Sequence, residues 1–264
     1  MDVAVLGLGE AGRVYAEGLQ RRGARVRGFD PQYSGQPIAI DSVASSLEQA
    51  VDGADLAISL VGATAAPLVA AAALASLPRS ATFADLNTGS PALMRQLSTD
   101  ATAVGVAFVD VAIMAPITRQ GIGTALLASG PGASALTDQL TSFFIPIEYV
   151  GPEAGTAAGL KLLRSVFMKG LAGLVIESLT AADKAGASDW LTAQIAAELG
   201  ADGEATVARL VSGTRLHAVR RIHEMHDSRA YLDSLDSPTW MTDATISWLD
   251  EVARTSADAA GEPR

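Results

Sequence analysis

The sequence MDVAVLGLGEAGRVYAEGL, residues 1–19, passes from an apolar run through three closely spaced glycines into a helical pattern. Gly7, Gly9 and Gly12 form the pattern G-x-G-x-x-G at this strand-to-helix turn, which is the context in which the motif binds a dinucleotide. The first glycine permits the tight turn, the second lets backbone approach a pyrophosphate, and the third lets the helix pack on the sheet. The sequence therefore predicts a nucleotide-binding turn at its beginning.

A second apolar run, ARVRGFD at residues 24–30, ends in an acid at the distance from the glycines where such folds bind the adenosine ribose. A carboxylate at Asp30 accepts hydrogen bonds from ribose hydroxyls and repels a 2′-phosphate, so NAD is favoured over NADP. Nearby Arg22, Arg25 and Arg27 leave NADP open. A glycine turn without ligand and an FAD-binding domain are the alternatives. The residues predicted to bind the cofactor here are Gly7, Leu8, Gly9, Glu10, Ala11, Gly12 and Asp30.

Strand and helix patterns alternate as far as residue 152, and only helical patterns follow. Alternation of this kind predicts βαβ units and a parallel sheet covered by helices on both faces. The predicted fold class is α/β, with an N-terminal Rossmann-type doubly wound sheet followed by an all-helical C-terminal domain. We expect a dinucleotide-binding domain over residues 1–152, a helical substrate and dimerisation domain over 153–252, and a flexible tail over 253–264.

Composition excludes several classes of function. The 264 residues carry a formal charge of −10, which argues against nucleic-acid binding because that usually requires a basic face. There is no cysteine, which removes disulfides and thiolate metal sites and fits a cytoplasmic protein. The apolar run at residues 56–78 is long enough to span a membrane, but Gly62 and Pro67 interrupt it. We interpret it as strand, loop and helix, and expect no membrane partner.

Lysine is rare in this chain. The 19 basic residues include only three lysines, and two of them, Lys161 and Lys169, lie in the apolar stretch GTAAGLKLLRSVFMKG at residues 155–170. Arginine stays protonated, whereas a lysine in a dry cleft can lose its proton near neutral pH. Lys161 is therefore a candidate acid or base, the alternative being a side chain that extends from a packed helix to water. For Lys169 the alternatives are contact with a substrate anion and a solvated side chain that extends to water.

The order of these features resembles the β-hydroxyacid dehydrogenases, the family of 3-hydroxyisobutyrate and 6-phosphogluconate dehydrogenases. The resemblance covers most of the chain and is closest to a subgroup with a short C-terminal domain. Five segments carry it: GLGEAGRVYAEGL, DLAISLVGA, DLNTGSP, VDVAIMAPITRQGIGTALLASG and GTAAGLKLLRS. These are similar to the family's dinucleotide turn, cofactor loop, D-x-S-T-x-x-P segment, substrate motif and catalytic helix.

The resemblance implies roles for individual residues. It makes Lys161 the catalytic acid/base, places the loop Val61-Gly62-Ala63 along the cofactor, and puts Thr88 beside both nicotinamide and substrate. His226 falls where the family has a lysine near the cofactor. It also implies a small-molecule substrate and a homodimer formed through the helical domain.

Two departures from the family concern the substrate. The family's Ser-Gly-Gly, which holds the substrate carboxylate, falls on Met114-Ala115-Pro116, where there is no hydroxyl and one amide fewer. The family's paired asparagines fall on Arg164 and Ser165, and Ser165 can still hydrogen-bond a substrate one turn beyond the lysine. Asp110, at the start of the substrate motif, is predicted to be structural.

The histidines give no strong signal for a metal site. His223 and His226 are three residues apart, but no carboxylate pattern accompanies them, and we expect no metal site. The function predicted is an NAD(P)-dependent dehydrogenase acting on the hydroxyl of a β-hydroxy-acid-like small molecule. The alternatives are an NADPH-dependent imine reductase-like enzyme, which generally lacks the lysine, and a non-catalytic NAD-binding regulatory protein.

Overall fold

The computed structural model describes residues 1–87 and 89–261. The chain divides into two compact units, Met1–Lys161 and the part that starts at Leu162. The division lies nine residues beyond the boundary predicted at residue 152, which itself stays a prediction. No helix among the described residues is long and apolar enough to cross a membrane.

The first unit is built around one eight-stranded sheet, in the order β3-β2-β1-β4-β5-β6-β7-β8. The strands are Asp2–Leu6 (β1), Arg25–Phe29 (β2), Ser42–Val43 (β3), Leu56–Ser59 (β4), Thr82–Asp85 (β5), Ala107–Ile113 (β6), Leu126–Ser129 (β7) and Ile147–Gly151 (β8). The helices are Glu10–Arg21 (α1), Leu47–Val51 (α2), Ala66–Ser76 (α3), Pro91–Val104 (α4), Ile117–Gln120 (α5) and Ala133–Ser142 (α6), with a 3₁₀ turn at Gly121–Gly123.

The central strand β1 is buried on both faces of the sheet. Val3 and Val5 belong to the apolar core on one face, and Ala4 and Leu6 to the core on the other. This follows from the alternation of side chains along a strand, and it explains why the strand reads as a continuous apolar run. Removing one such side chain from water contributes roughly 2–3 kcal/mol for a residue the size of Leu6.

The predicted fold class is confirmed, with one difference in the sheet. The strands from β3 to β6 are parallel, but β7 runs antiparallel to β6. The connection between these two strands contains only the short α5 and a 3₁₀ turn, and a short connection joins antiparallel neighbours. The edge strands β3 and β8 were not predicted. With two residues, β3 is too short to show a pattern of its own.

The strand order also positions a cleft. From β1 the chain moves outward to β2 on one side and returns to β4 on the other, so the direction of winding reverses there. Ligands of open α/β sheets bind at such a reversal, outside the carboxyl ends of the strands. The glycine turn after β1 lies at this point.

The second unit is helical. The helices are Thr156–Lys184 (α7), which begins in the first unit, Ser188–Glu198 (α8), Gly203–Asp233 (α9) and Trp240–Gly261 (α10). The helix α9 has a non-helical residue at His217, which marks a kink. Because α10 runs to Gly261, helix covers most of the segment predicted to be a flexible tail. Its flexibility stays a prediction.

Candidate active site

The three glycines of the first turn meet different surroundings. Gly7 has φ = +92°, a conformation that side-chain-bearing residues rarely adopt, and a Cβ there would overlap the Leu60 carbonyl oxygen. A Cβ on Gly12 would overlap the Gly7 carbonyl oxygen, so this glycine lets α1 lie directly against the turn. A Cβ on Gly9 would meet no protein atom within 4 Å. Gly9 therefore borders open space, where a pyrophosphate can approach the backbone.

The start of α1 supplies donors to the same space. The helix begins at Glu10, and its N-cap residue Gly9 provides no side chain to satisfy the first amides. Uncapped N–H groups at a helix start, together with the helix dipole, favour an anion such as a phosphate. The predicted turn residues Leu8, Glu10 and Ala11 belong to this turn and helix start. The turn fits the pyrophosphate of a dinucleotide.

Asp30 follows β2 and is hydrogen-bonded to the turn. Its Oδ2 accepts from the Leu8 amide at 2.8 Å, and its Oδ1 accepts from the Gln32 amide at 2.8 Å. Each oxygen keeps a second lone pair that can accept from a ribose hydroxyl. The carboxylate thus both holds the glycine turn and fits the adenosine ribose.

The arginines near β2 are bonded elsewhere. Their partners are the Gly18 carbonyl for Arg22, the Asp2 carboxylate for Arg25, and the Gln49 and Asp52 carbonyls for Arg27. Sequence reasoning missed Arg13, whose guanidinium lies over the Tyr33 ring at 5.8 Å and donates to the Gln36 and Pro37 carbonyls. Its position in the first turn of α1, directly after the glycine turn, is the sequence feature that could have drawn attention to it.

The preference between the two cofactors is testable at Asp30. Asp30→Asn keeps an acceptor for the Leu8 amide but removes the charge that repels a 2′-phosphate. We expect the ratio of NADPH to NADH affinity to rise about tenfold, which corresponds to about 1.4 kcal/mol. Fluorescence titration with each reduced cofactor measures it. Asp41→Asn is the matched control, because Asp41 also accepts from a backbone amide, that of Val26. An unchanged ratio in Asp30→Asn would contradict the assignment.

A buried polar network holds the loop that follows β4. The Asn87 Oδ1 accepts from the Gly62 amide at 2.7 Å, and its Nδ2 donates to Ser59 Oγ at 2.9 Å and to Asp85 Oδ2 at 3.1 Å. These bonds fix Gly62, and with it the predicted cofactor loop Val61-Gly62-Ala63, relative to the end of β5. Sequence reasoning did not single out Asn87, although it lies in the motif DLNTGSP beside Thr88. Thr88 lies outside the described residues.

Asp85 is fully buried, and this burial raises its pKa to about 6, with a smaller contribution from the charge of Asp110 on the neighbouring strand. In the unfolded chain the carboxyl has its ordinary pKa of 3.8. A raised folded pKa means that the folded state holds the proton more tightly. Stability from this group is therefore gained as pH falls through 6 and is absent well above it.

This dependence gives a prediction. Between pH 7.5 and pH 4.5 we expect Asp85 to raise the free energy of unfolding by about 2 kcal/mol, because pH 4.5 lies about 1.5 units below the folded pKa and still above the unfolded one. Urea unfolding at both pH values measures it, with Asp85→Asn as the comparison. Asp110 and Asp227 also have raised pKa values, so they contribute to the slope in both proteins. An equal slope in the variant would show that Asp85 is not responsible.

The first turn of α7 is bonded to the sheet. Asp110 Oδ2 accepts from the amides of Gly155 and Ala158 at 3.0 Å each, and Ser129 Oγ accepts from the Ala157 amide at 3.0 Å. Lys161 follows one turn later in the same unit and is half-buried. Its charge lowers the pKa of Asp110, against the stronger raising effect of burial. Lys161 is thus held on a helix whose start is attached to β6 and β7.

Comparisons with known proteins match this arrangement. The model of the NAD binding domain of 6-phosphogluconate dehydrogenase matches residues 2–142, more than half of the chain, and a domain of unknown function, DUF1932, matches residues 182–252. The chain belongs to the β-hydroxyacid dehydrogenase-like superfamily. As in the matched domain, its cofactor is NAD or NADP.

The chain is also similar to individual proteins. An uncharacterized 28.5 kDa protein of Methanothermus fervidus is 32% identical over 125 residues, and the chain spans about half, 48%, of that relative's length. The conserved protein MTH1747, described as similar to 3-hydroxyacid dehydrogenases, is 26% identical with a TM-score of 0.79, over 97% of this chain and 99% of that one.

Two more distant solved structures share the fold. A Mycobacterium tuberculosis 3-hydroxyisobutyrate dehydrogenase is 18% identical with a TM-score of 0.77, over 97% of this chain and 94% of that one. A Streptomyces aurantiacus imine reductase is 21% identical with a TM-score of 0.61, over 99% and 96% of the two chains.

The segment Met114-Ala115-Pro116, whose role in substrate binding stays a prediction, offers few backbone donors. Met114 follows β6, and its amide donates to the Ala125 carbonyl at 3.0 Å. Pro116 has no amide hydrogen. The segment therefore has fewer backbone donors for a carboxylate than Ser-Gly-Gly provides, and Ala115 is the residue of the three whose amide is free of both restrictions.

The remaining predicted residues lie in the second unit. Ser165 is 8% exposed, and its Oγ accepts from Lys169 Nζ at 3.0 Å. Lys169 also pairs with Glu224 at 2.8 Å, and burial lowers its pKa while Glu224 opposes this. His226 is exposed on α9 next to Asp227. Its role near the cofactor stays a prediction. Within the part of the chain that the structure describes, no three acidic or histidine side chains gather as metal ligands would.

Proposed function

We propose that this protein is an NAD(P)-dependent dehydrogenase that oxidises the hydroxyl of a β-hydroxy-acid-like small molecule, with Lys161 as the acid/base. The observation that carries the proposal is the placement of Lys161. It is half-buried on the helix whose first turn is hydrogen-bonded to Asp110 and Ser129 of the dinucleotide-binding unit. A lysine fixed in this way can exchange a proton with a substrate held in a defined position.

A nicotinamide cofactor bound at the glycine turn would supply the hydride acceptor for the substrate C–H bond. Lys161 Nζ takes the proton from the hydroxyl on the same carbon, so that the alcohol becomes a carbonyl. Neutral lysine is the form that accepts this proton. Its neighbours along the helix, Ala157, Ala158 and Leu162, are buried.

In this proposal, different residues bind different parts of the cofactor. The turn with Gly7, Gly9 and Gly12 receives the pyrophosphate, and Asp30 receives the ribose, so NAD is the preferred cofactor. The loop Val61-Gly62-Ala63 and Thr88 flank the nicotinamide end. The rigid bonding of Gly62 to Asn87 supports this position for the loop.

The residues proposed to bind substrate are Met114, Ala115 and Pro116 in the first unit and Ser165 in the second. Because Lys169 donates to Ser165 Oγ, the serine's own hydrogen is available to a substrate oxygen. The reduced number of amide donors at Met114 and Pro116 supports a substrate whose acid is bound less tightly than in a hydroxyisobutyrate dehydrogenase.

The small number of amide donors at Met114 and Pro116 also favours a second candidate function. An imine reductase-like enzyme needs no carboxylate clamp, and its substrate would meet the apolar Met114 side chain instead. The presence of Lys161 is evidence against an imine reductase, since those enzymes generally lack this lysine. A panel of β-hydroxy acids with NAD, beside a panel of cyclic imines with NADPH, separates the two. Turnover of hydroxy acids supports the first proposal, and imine reduction alone would replace it with the second.

We also propose a cytoplasmic homodimer formed through the helical unit. Large apolar side chains on α7 support it, because Leu163, Phe167 and Leu174 are 42%, 67% and 56% exposed. Their spacing of four and seven residues places them along one side of the helix. A second copy of the chain would cover this side.

A further inference from the structure

The connection between β2 and β3 is long for its place in the fold. Residues 30–41 contain neither helix nor strand, whereas connections in α/β sheets usually have about 2–6 residues. The connection begins at Asp30, the residue proposed to bind the adenosine ribose. Because it has no regular structure of its own, its position depends on a small number of specific contacts.

Both ends of this connection are fixed to the body of the first unit. Asp30 Oδ2 accepts from the Leu8 amide at 2.8 Å, and the Asp30 carbonyl accepts from the Tyr33 amide at 3.1 Å. Near the far end, Ile38 and Ile40 pack on the apolar core. The residues between these ends are held by a side chain from α1.

That side chain is Arg13. Residues 34–37 are exposed, yet Arg13 Nη2 donates to the Gln36 carbonyl at 3.2 Å and Nη1 donates to the Pro37 carbonyl at 3.0 Å. The guanidinium also lies 5.8 Å from the centre of the Tyr33 ring, within the range of a cation–π contact. The Tyr33 hydroxyl donates to the same Gln36 carbonyl. Arg13 thus makes three contacts with one short segment.

Arg13 is also part of the helix start that is proposed to receive the pyrophosphate. Its backbone amide donates to the Gly9 carbonyl at 3.0 Å, so it lies one helical turn beyond the glycine that borders open space. The contacts form a closed ring, from Gly9 to Arg13, across to Tyr33, back along the chain to Asp30, and from Asp30 to Leu8 in the glycine turn. Arg13 therefore links the pyrophosphate and ribose sites a second time, besides the bond between Asp30 and Leu8.

The contacts distinguish two roles for this arginine. A positive charge could attract the phosphates directly, and a lysine would then serve as well. Near a helix start, however, the helix dipole favours anions, so Arg13 gains nothing from the dipole. Its partners are two carbonyl oxygens and a ring, which match the fixed fork and flat face of a guanidinium and which a lysine cannot reproduce. These partners favour a role that depends on shape.

We propose that Arg13 is a positioning residue for the adenosine end of the cofactor, which holds residues 33–37 on α1 and so keeps Asp30 in place beside the glycine turn. This inference rests on the proposed binding of the ribose by Asp30. A ligand binds most tightly to a site that already has its binding conformation, because it does not have to order the chain. Loss of the Arg13 contacts should therefore weaken binding of adenosine and leave the nicotinamide end unchanged.

Displacement of NADH by the two halves of the cofactor tests this role on the full-length protein. AMP carries the adenosine, and nicotinamide mononucleotide carries the other half. In Arg13→Gln we expect the inhibition constant of AMP to rise about tenfold, as it would if one molecule in ten kept the segment in place. Nicotinamide mononucleotide should bind as it does to the wild type. Arg13→Lys should show the same loss, because lysine has neither the fork nor the flat face.

Arg22→Gln is the matched control. Arg22 lies at the end of the same helix and donates to the Gly18 carbonyl at 3.3 Å, so its loss should leave AMP binding unchanged. Recovery of wild-type AMP affinity in Arg13→Lys would overturn the proposal in favour of direct attraction of the phosphates. An equal loss for both halves of the cofactor in Arg13→Gln would overturn it in the same way.

Hydrogen–deuterium exchange of residues 31–40 provides a second measurement, made without ligand. We expect faster exchange in Arg13→Gln and in Tyr33→Leu, which keeps an apolar side chain but loses the ring and the hydroxyl. Exchange at the wild-type rate in both variants would overturn the holding role. If Asp30→Ala binds AMP as tightly as the wild type, the proposed ribose site is wrong, and the exchange experiment still reports whether Arg13 holds the segment.

Discussion

Lys161→Met is expected to lower kcat by roughly 10²- to 10⁴-fold, the usual contribution of a positioned acid/base group. Methionine has a similar length and can occupy the same half-buried position, so packing around α7 should change little. The affinity for NADH should remain near the wild-type value, because Lys161 has no proposed contact with the pyrophosphate or the adenosine. Steady-state kinetics on a turned-over substrate and fluorescence titration with NADH measure the two quantities.

Lys184→Met is the control for this substitution. Lys184 is on the same helix and is exposed, so it tests the loss of a lysine from α7 without loss of the acid/base. We expect its kcat to equal that of the wild type. Turnover in Lys161→Met within a factor of ten of the wild type would remove the lysine from the mechanism. Loss of NADH binding in the same variant would indicate a disturbed fold and would contradict the expected separation.

The second large effect is expected at the glycine turn, where two glycines should respond in opposite ways. Gly12→Ala places a Cβ onto the Gly7 carbonyl oxygen, and α1 must move away from the turn. We expect the free energy of unfolding to fall by about 3 kcal/mol, the upper range for overpacking of a rigid site. Urea unfolding measures this loss.

Gly9→Ala should leave stability nearly unchanged. Its φ of −66° suits alanine, and the added Cβ meets no protein atom within 4 Å. The same Cβ occupies the space through which a pyrophosphate approaches, so we expect NADH affinity to fall about 10- to 100-fold, or roughly 1.4–2.7 kcal/mol. Equal NADH affinity in Gly9→Ala and the wild type would show that the cofactor does not use this turn.

The glycine turn and the long helix could be predicted because their signals are local. The motif at Gly7–Gly12 and the apolar pattern from residue 156 each lie within one stretch of chain. The fold class followed from the alternation of such stretches. The edge strand β3 has two residues and no periodicity, so its existence depends on pairing with β2 and was not visible.

The polar connections within the site could not be predicted, because each joins distant parts of the chain. Asn87 bonds to Gly62 across 25 residues, and Asp110 bonds to Ala158 across 48. Neither partner carries a sequence signal for the other, since a backbone amide is present at almost every position. Sequence shows an aspartate within an apolar strand, but only the folded chain shows that Asp110 is buried and which amides it satisfies.

The placement of Lys161 before the division at Leu162 bears on how such proteins can be recombined. A gene fusion that joined the first 152 residues to a foreign partner would leave Asp110 and Ser129 without the amides of Gly155, Ala157 and Ala158. Two buried acids in neighbouring strands would then lack the helix that one of them caps. A fusion made after residue 161 keeps these bonds and transfers the lysine together with its sheet. A helical unit exchanged at residue 161 would therefore leave the hydrogen-bonded start of α7, and Lys161 with it, attached to the sheet.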